Sequence, residues 1–131
     1  MPQAIDLVVK NGAATPVDKT FVLINPAAGL DSAARWALKE GVISSVFPTF
    51  EAVARRNNNA ASKLRLKLAL PSSYTDSVTG LTNVSSRFEA NIEITVPDSF
   101  PEALKSDAVA FTTNLINTAL VKAMVRDGAP A

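Results

Sequence analysis

A chain of 131 residues, 47% apolar and 19% charged, with 13 basic and 12 acidic side chains, has the composition of one soluble globular domain spanning residues 1–131 and excludes large-scale disorder. It contains neither cysteine nor histidine, which excludes disulfides, thiol chemistry and the common zinc sites and leaves no side chain whose ordinary pKa lies near neutrality; an enzyme, a metal or a cofactor is not expected. No run approaches the roughly 18 apolar residues of a spanning helix and the start lacks a basic leader, so no membrane partner is expected and the chain reads as cytosolic.

In chain order, Ile5–Val9 reads as a short strand and Asn11-Gly12 as a hairpin signal, so the chain should double back within a few residues onto Thr20–Ile24, which Asn25-Pro26 stops. The next piece, LDSAARWALKEG, has two readings: a short helix capped by Asp31 and ended by Gly41, or a strand. From Phe47 the pattern sharpens. Phe50, Ala52 and Ala54 alternate with Glu51, Val53 and Arg55, and Arg56-Asn57-Asn58-Asn59 supplies turn chemistry. Then SKLRLKLALP alternates Leu64, Leu66, Leu68 and Leu70 with Lys63, Arg65, Lys67 and Ala69, the mark of a strand with one buried face. Residues 72–85 show no usable period and read as a long loop around Gly80. SRFEANIEITVP is the last clear strand, with Phe88, Ala90, Ile92, Ile94 and Val96 on one face and Arg87, Glu89, Asn91, Glu93 and Thr95 on the other. After Pro97 the pattern is helical. Asp98 or Ser99 is placed to cap, Leu104, Ala108, Phe111 and Leu115 recur at helical spacing, Asn117-Thr118 offers a break, and Gly128 stands as a C-cap.

Strands first and helices last predict an α+β fold: an antiparallel sheet, N-terminal hairpin plus meander, followed by two C-terminal α-helices on one face. One helix pair is thin cover for so wide a sheet, so a second subunit is expected to complete the burial. Arg55, Arg56, Lys63, Arg65 and Lys67 follow one another without an acid, so this segment carries +5 in a chain of net charge +1. On the polar face Arg55, Lys63, Arg65, Lys67 and Arg87 offer phosphate contacts and Asn91 can hydrogen-bond bases, which makes them the candidate nucleic-acid-binding residues. The same alternation also fits a solvated face whose cations pair with Glu51, Glu89 or Glu93. Catalytic constellations are weak. Glu89 and Glu93 stand about 13 Å apart by strand rise, too far for a dyad, Ser62 and Lys63 point to opposite faces, and no glycine-rich phosphate loop is present. Trp36 suits a core or interface, and Tyr74 fits either a core or a stacking role.

Taken together, TFVLINP, FEAVARRNNNAASKLRLKLALP and RFEANIEITVP, followed by two helices, resemble the coat proteins of single-stranded RNA bacteriophages, the levivirus group. The order of elements covers nearly the whole chain. The resemblance implies an intertwined homodimer with one continuous sheet, which assembles in the bacterial host cytoplasm into a quasi-equivalent icosahedral virion shell. It also implies a sheet face turned inward to genomic single-stranded RNA, with residues 72–85 around the symmetry-axis pores. In several members the same face binds an operator hairpin and represses translation. Aligned on Pro71 and Pro97, Arg55, Lys63, Lys67 and Asn91 stand where relatives carry basic or asparagine residues facing RNA. Arg65, Glu51 and Val53 depart, because relatives often carry small hydroxyl residues there that form pockets for unpaired adenines, and Glu89 replaces an aromatic that can stack on a base. General RNA packaging is therefore implied more strongly than recognition of a known hairpin. The competing reading is a small dimeric RNA-binding regulator that forms no shell.

Overall fold

The computed structural model describes residues 2–41, 43–57 and 60–131. Six strands form one antiparallel sheet in sequential order: β1 (Leu7–Lys10), β2 (Asp18–Asn25), β3 (Ala34–Ala37), β4 (Thr49–Asn57), β5 (Ala61–Thr75) and β6 (Thr82–Pro97). Two helices follow, α1 (Glu102–Ile116) and α2 (Ala119–Asp127). The sheet, through Val96, and the helices, from Pro97, are separate compact units.

The N-terminal hairpin forms, with Lys10 opposite Asp18, but not as a two-residue turn. Asn11 closes a wider loop: its N–H donates to the Val17 carbonyl at 3.0 Å, and its Oδ1 accepts from the N–H groups of Ala13 (3.3 Å) and Val17 (3.0 Å). The asparagine therefore works through its side chain rather than by a left-handed backbone.

The ambiguous segment is a strand. Ala34 lies opposite Ala52 and Trp36 opposite Phe50, while Leu23 and Asn25 of β2 pair with Trp36 and Arg35. Helix propensity loses here because β3 is the bridge between β2 and β4. A helix at this point would leave both of those strands with an unpaired edge. Asp31 caps no helix: it adopts φ 64°, and its N–H donates to the Ala54 carbonyl at 2.8 Å, tying the turn before β3 to β4. Gly41, expected as a helix end, serves a different purpose. It holds φ +132°, and a Cβ there would stand 2.5 Å from Val46 Cγ2, so neither backbone nor space admits a side chain.

The best-buried hydrophobic residues among those described are Ala34, Trp36 and Ala37 of β3, Val46 of the short helical turn before β4, and Ala61 at the start of β5. Trp36 organises this corner. Its ring lies 5.4 Å from that of Phe50, and its Nε1–H donates to the Ile5 carbonyl at 2.7 Å, fastening the N-terminal segment to the sheet.

Of the expected β4–β5 turn, Arg56 and Asn57 are strand instead, pairing with Ser62 and Ala61 at the end of β4, and Asn58 and Asn59 lie outside the described residues. Most of the expected loop over residues 72–85 is strand instead. β5 continues to Thr75 and β6 begins at Thr82, leaving only residues 76–81 as a connection. Asp76 organises that turn, its Oδ1 accepting from Val78 N–H at 2.7 Å and Thr79 N–H at 3.3 Å. The Ser85 hydroxyl donates to the Ser72 carbonyl (3.1 Å), and Thr75 and Thr82 share a hydroxyl hydrogen bond (3.2 Å) along the ribbon.

In the helical unit, neither Asp98 nor Ser99 caps α1. Phe100 N–H turns back to the Pro97 carbonyl, and the N-cap is Pro101, three residues beyond Asp98 and without a side-chain cap. The break at Asn117-Thr118 is present as a 56° bend. Thr118 caps α2 by accepting from Val121 N–H, and Gly128 ends it at φ 65° with its N–H on the Met124 carbonyl. Neither helix contains a buried residue, and among the described residues no single helix is long and apolar enough to cross a membrane.

Candidate nucleic-acid interface

Strand register decides what the two faces of the sheet carry. On one face Leu23, Trp36, Phe50 and Leu68 lie in a row across four strands, with Ala34, Ala52 and Leu66 in the next. Leu7, Val9, Phe21, Phe50, Leu66, Leu68, Ala90 and Ile92 line an apolar groove on this face. The opposite face collects the predicted cations.

Its side chains form three rungs. In the first, Arg35 lies opposite Glu51 and Glu51 opposite Lys67. Arg35 Nε is 3.7 Å from Glu51, and Lys67 Nζ is 4.0 Å from Glu89 of β6, so charge alternates along the rung and cancels. In the third rung two cations, Arg55 and Lys63, are directly opposite one another. Like charges so placed repel, and each turns to an acid on its outer side: Arg55 Nε to Asp31 at 3.6 Å and Lys63 Nζ to Glu93 at 3.3 Å. This rung is neutral as well.

The middle rung differs. Arg65 lies opposite Val53, and the flanking pairs Lys63–Glu93 and Lys67–Glu89 bring Asn91 level with it on β6. Arg65 is exposed and, among the described residues, makes no ion pair. Arg87 stands beyond the first rung, beside Lys67 and Glu89, in a polar depression that Ser44, Ser45 and Pro71 also line.

All six predicted residues therefore share one face, but the +5 of the segment does not survive folding as +5. On this face Arg35, Arg55, Lys63, Arg65, Lys67 and Arg87 meet Asp31, Glu51, Glu89 and Glu93, six cations against four acids, and the balance is +2. The expectation that Glu51, Glu89 and Glu93 serve as partners for cations holds, with Glu51 engaging Arg35. Asp31 and Arg35 were legible neither as partners nor as members of the face, because both fall in the segment with two readings. Val53, between Glu51 and Arg55 on β4, brings no hydroxyl to the middle rung, where it lies opposite Arg65, while Glu51 lies in the first rung. Among the described residues no cluster of three or more carboxylates that could hold a metal ion is present.

The sequence pattern of the levivirus coat protein family matches residues 2–131. No curated protein matches the chain. Among solved structures, the virus-like particle of bacteriophage NT-214 is similar at 25% identity over 99% of each chain, with a TM-score of 0.86. That of Beihai levi-like virus 21 is similar at 16% identity over 99% of this chain and 98% of the other, with a TM-score of 0.84. The bacteriophage GA protein capsid follows at 17% identity over 95% of each chain, with a TM-score of 0.68.

Proposed function

The chain belongs to the levivirus coat protein family, a structural and non-enzymatic one, and on that premise we propose that it pairs with a second copy, assembles into a closed shell and carries single-stranded RNA on the polar face of its sheet. The observation that carries this reading is the division of the sheet into an apolar face and a face bearing every predicted RNA-binding residue: Arg55, Lys63, Arg65, Lys67, Arg87 and Asn91.

Two features of the sheet unit support pairing with a second copy. Among the described residues the buried hydrophobic core is limited to Ala34, Trp36, Ala37, Val46 and Ala61, while the larger Val8, Val9, Ile24 and Phe88 stay exposed on the single chain. Apolar surface of this extent normally meets a partner. In addition, β6 is the last strand in the sheet order and runs 16 residues, so it offers a long row of backbone donors and acceptors along its outer edge. Such an edge is a template for pairing with another strand, and β6 of a second copy supplies a match of equal length. The similar particles of NT-214 and its relatives support the step from pair to shell. Cations on a rigid sheet provide phosphate contacts without base reading, which suits packaging of a long heterogeneous strand.

Expression of this chain alone in bacteria should yield closed particles visible by electron microscopy, with absorbance at 260 nm above that of the protein. A monodisperse monomer free of nucleic acid would contradict the proposal. A stable pair that binds RNA yet never closes into particles would retain the RNA face and overturn the shell.

A further inference from the structure

Four of the six cations on the polar face are already engaged by carboxylates of this chain, and the two rungs that hold them are neutral. Resting on the reading of this face as the RNA surface, we infer that Glu89 and Glu93 act as built-in competitors of the phosphate backbone. They hold back Lys67 and Lys63 and leave Arg65, level with Asn91, as the principal phosphate anchor.

The argument is one of charge and register. A phosphate that approaches Lys63 or Lys67 must either displace the carboxylate at 3.3 or 4.0 Å or settle beside it. Exposed pairs of this kind are individually weak, but the consequence does not depend on their strength. Whether the pair opens or stays closed, its carboxylate remains directly across from the lysine on the neighbouring strand. Among the described residues no carboxylate is in contact with Arg65; Glu51, Glu89 and Glu93 stand one rung away, and Asp31 and Glu51 line the same polar depression as Arg65. The cross-strand neighbours of Arg65 are Val53 and the neutral amide of Asn91, and its planar guanidinium suits bidentate contact with a phosphate. Asn91 can add a hydrogen bond to the same group or to the adjacent sugar. The face thus has, among the described residues, one cationic row without a carboxylate contact between two muted ones, an arrangement that holds a strand in a defined track while limiting its overall grip.

The test is a salt titration of full-length protein with a fluorescent oligouridine strand, below the concentration at which particles form. Each cation freed for phosphate adds about 0.7 to the slope of log affinity against log salt for a single strand. The Glu89→Gln/Glu93→Gln variant should therefore bind more tightly at low salt, and its slope should be steeper by about 1.4. Between 50 and 200 mM salt its advantage over the parent should shrink about sevenfold. A Glu102→Gln/Asp107→Asn variant removes the same charge from α1 and should leave the slope unchanged. In the parent, Arg65→Ala should weaken binding more than Lys63→Ala or Lys67→Ala, and in the double glutamine background that ranking should level. Both glutamates are exposed, so folding is not at risk, and the single variants Glu89→Gln and Glu93→Gln should each give half the slope change. Binding by parent and variant with equal slopes would overturn the inference alone. Absence of binding by every form would overturn RNA carriage itself, and the inference with it.

Discussion

Replacing Leu66 by aspartate should abolish particle formation, while Arg65→Ala, one residue earlier on the same strand, should leave particles intact. Leu66 lies opposite Ala52 and lines the apolar groove together with Phe50, Leu68 and Ile92. Truncating such a side chain costs about 2–5 kcal/mol where it is fully covered, and a carboxylate adds the penalty of placing an unpaired charge in apolar surroundings. The groove is part of the surface on which a second copy is proposed to close, so the loss falls on association as well as on folding. Arg65 points to the opposite face, exposed and without an ion pair among the described residues, and its removal should change stability by no more than about 0.5 kcal/mol. Sizing by light scattering, with electron microscopy of the same samples, reads both outcomes. Particles of normal size from Leu66→Asp would show that this face is not closed in the assembly.

The second large effect belongs to Trp36. Trp36→Ala removes the ring that packs on Phe50 and the only hydrogen bond by which that ring holds Ile5. Truncating a large buried aromatic costs about 3–5 kcal/mol, so the midpoint of urea unfolding should fall sharply with its slope unchanged. Trp36→Phe separates the two contributions. It keeps most of the packing and leaves the Ile5 carbonyl without its partner, at about 1 kcal/mol. Equal losses in the two variants would mean that the hydrogen bond to Ile5, rather than ring packing, dominates.

These two sites also show where sequence patterning is informative. Leu66 belongs to a ribbon whose two faces differ in polarity, and there alternation alone places the side chains of β4 through Arg55, of β5 from Lys63 to Leu70 and of the second half of β6. The far end of the β5–β6 ribbon gives no such signal. Residues 72–75 are all exposed, so selection for a buried face leaves no period to read, and strand looks like loop. Trp36 sits in a four-residue strand of alanines, arginine and tryptophan, too short for either period to show. Its assignment depends on β2 and β4, which lie on either side in space rather than in sequence.

The interface follows the same division. Which residues of β4, β5 and β6 share the polar face is readable from parity along those strands, while Arg35 of β3 is not. How much positive charge that face keeps is not, because neutralisation depends on cross-strand register: Lys63 meets Glu93 thirty residues away, and Arg55 meets Asp31 from a turn outside the sheet pattern. The isolated position of Arg65 is likewise a property of register.

The most direct test of RNA on this face is ultraviolet crosslinking of intact purified particles, followed by mass spectrometry of the nuclease-trimmed peptides. RNA adducts should concentrate in peptides from β4, β5 and the Arg87–Thr95 stretch of β6, and Lys63/Arg65/Lys67→Ala should deplete them along with the 260 nm absorbance. Adducts confined to α1 and α2, with β5 unmodified, would contradict the placement of RNA on the sheet.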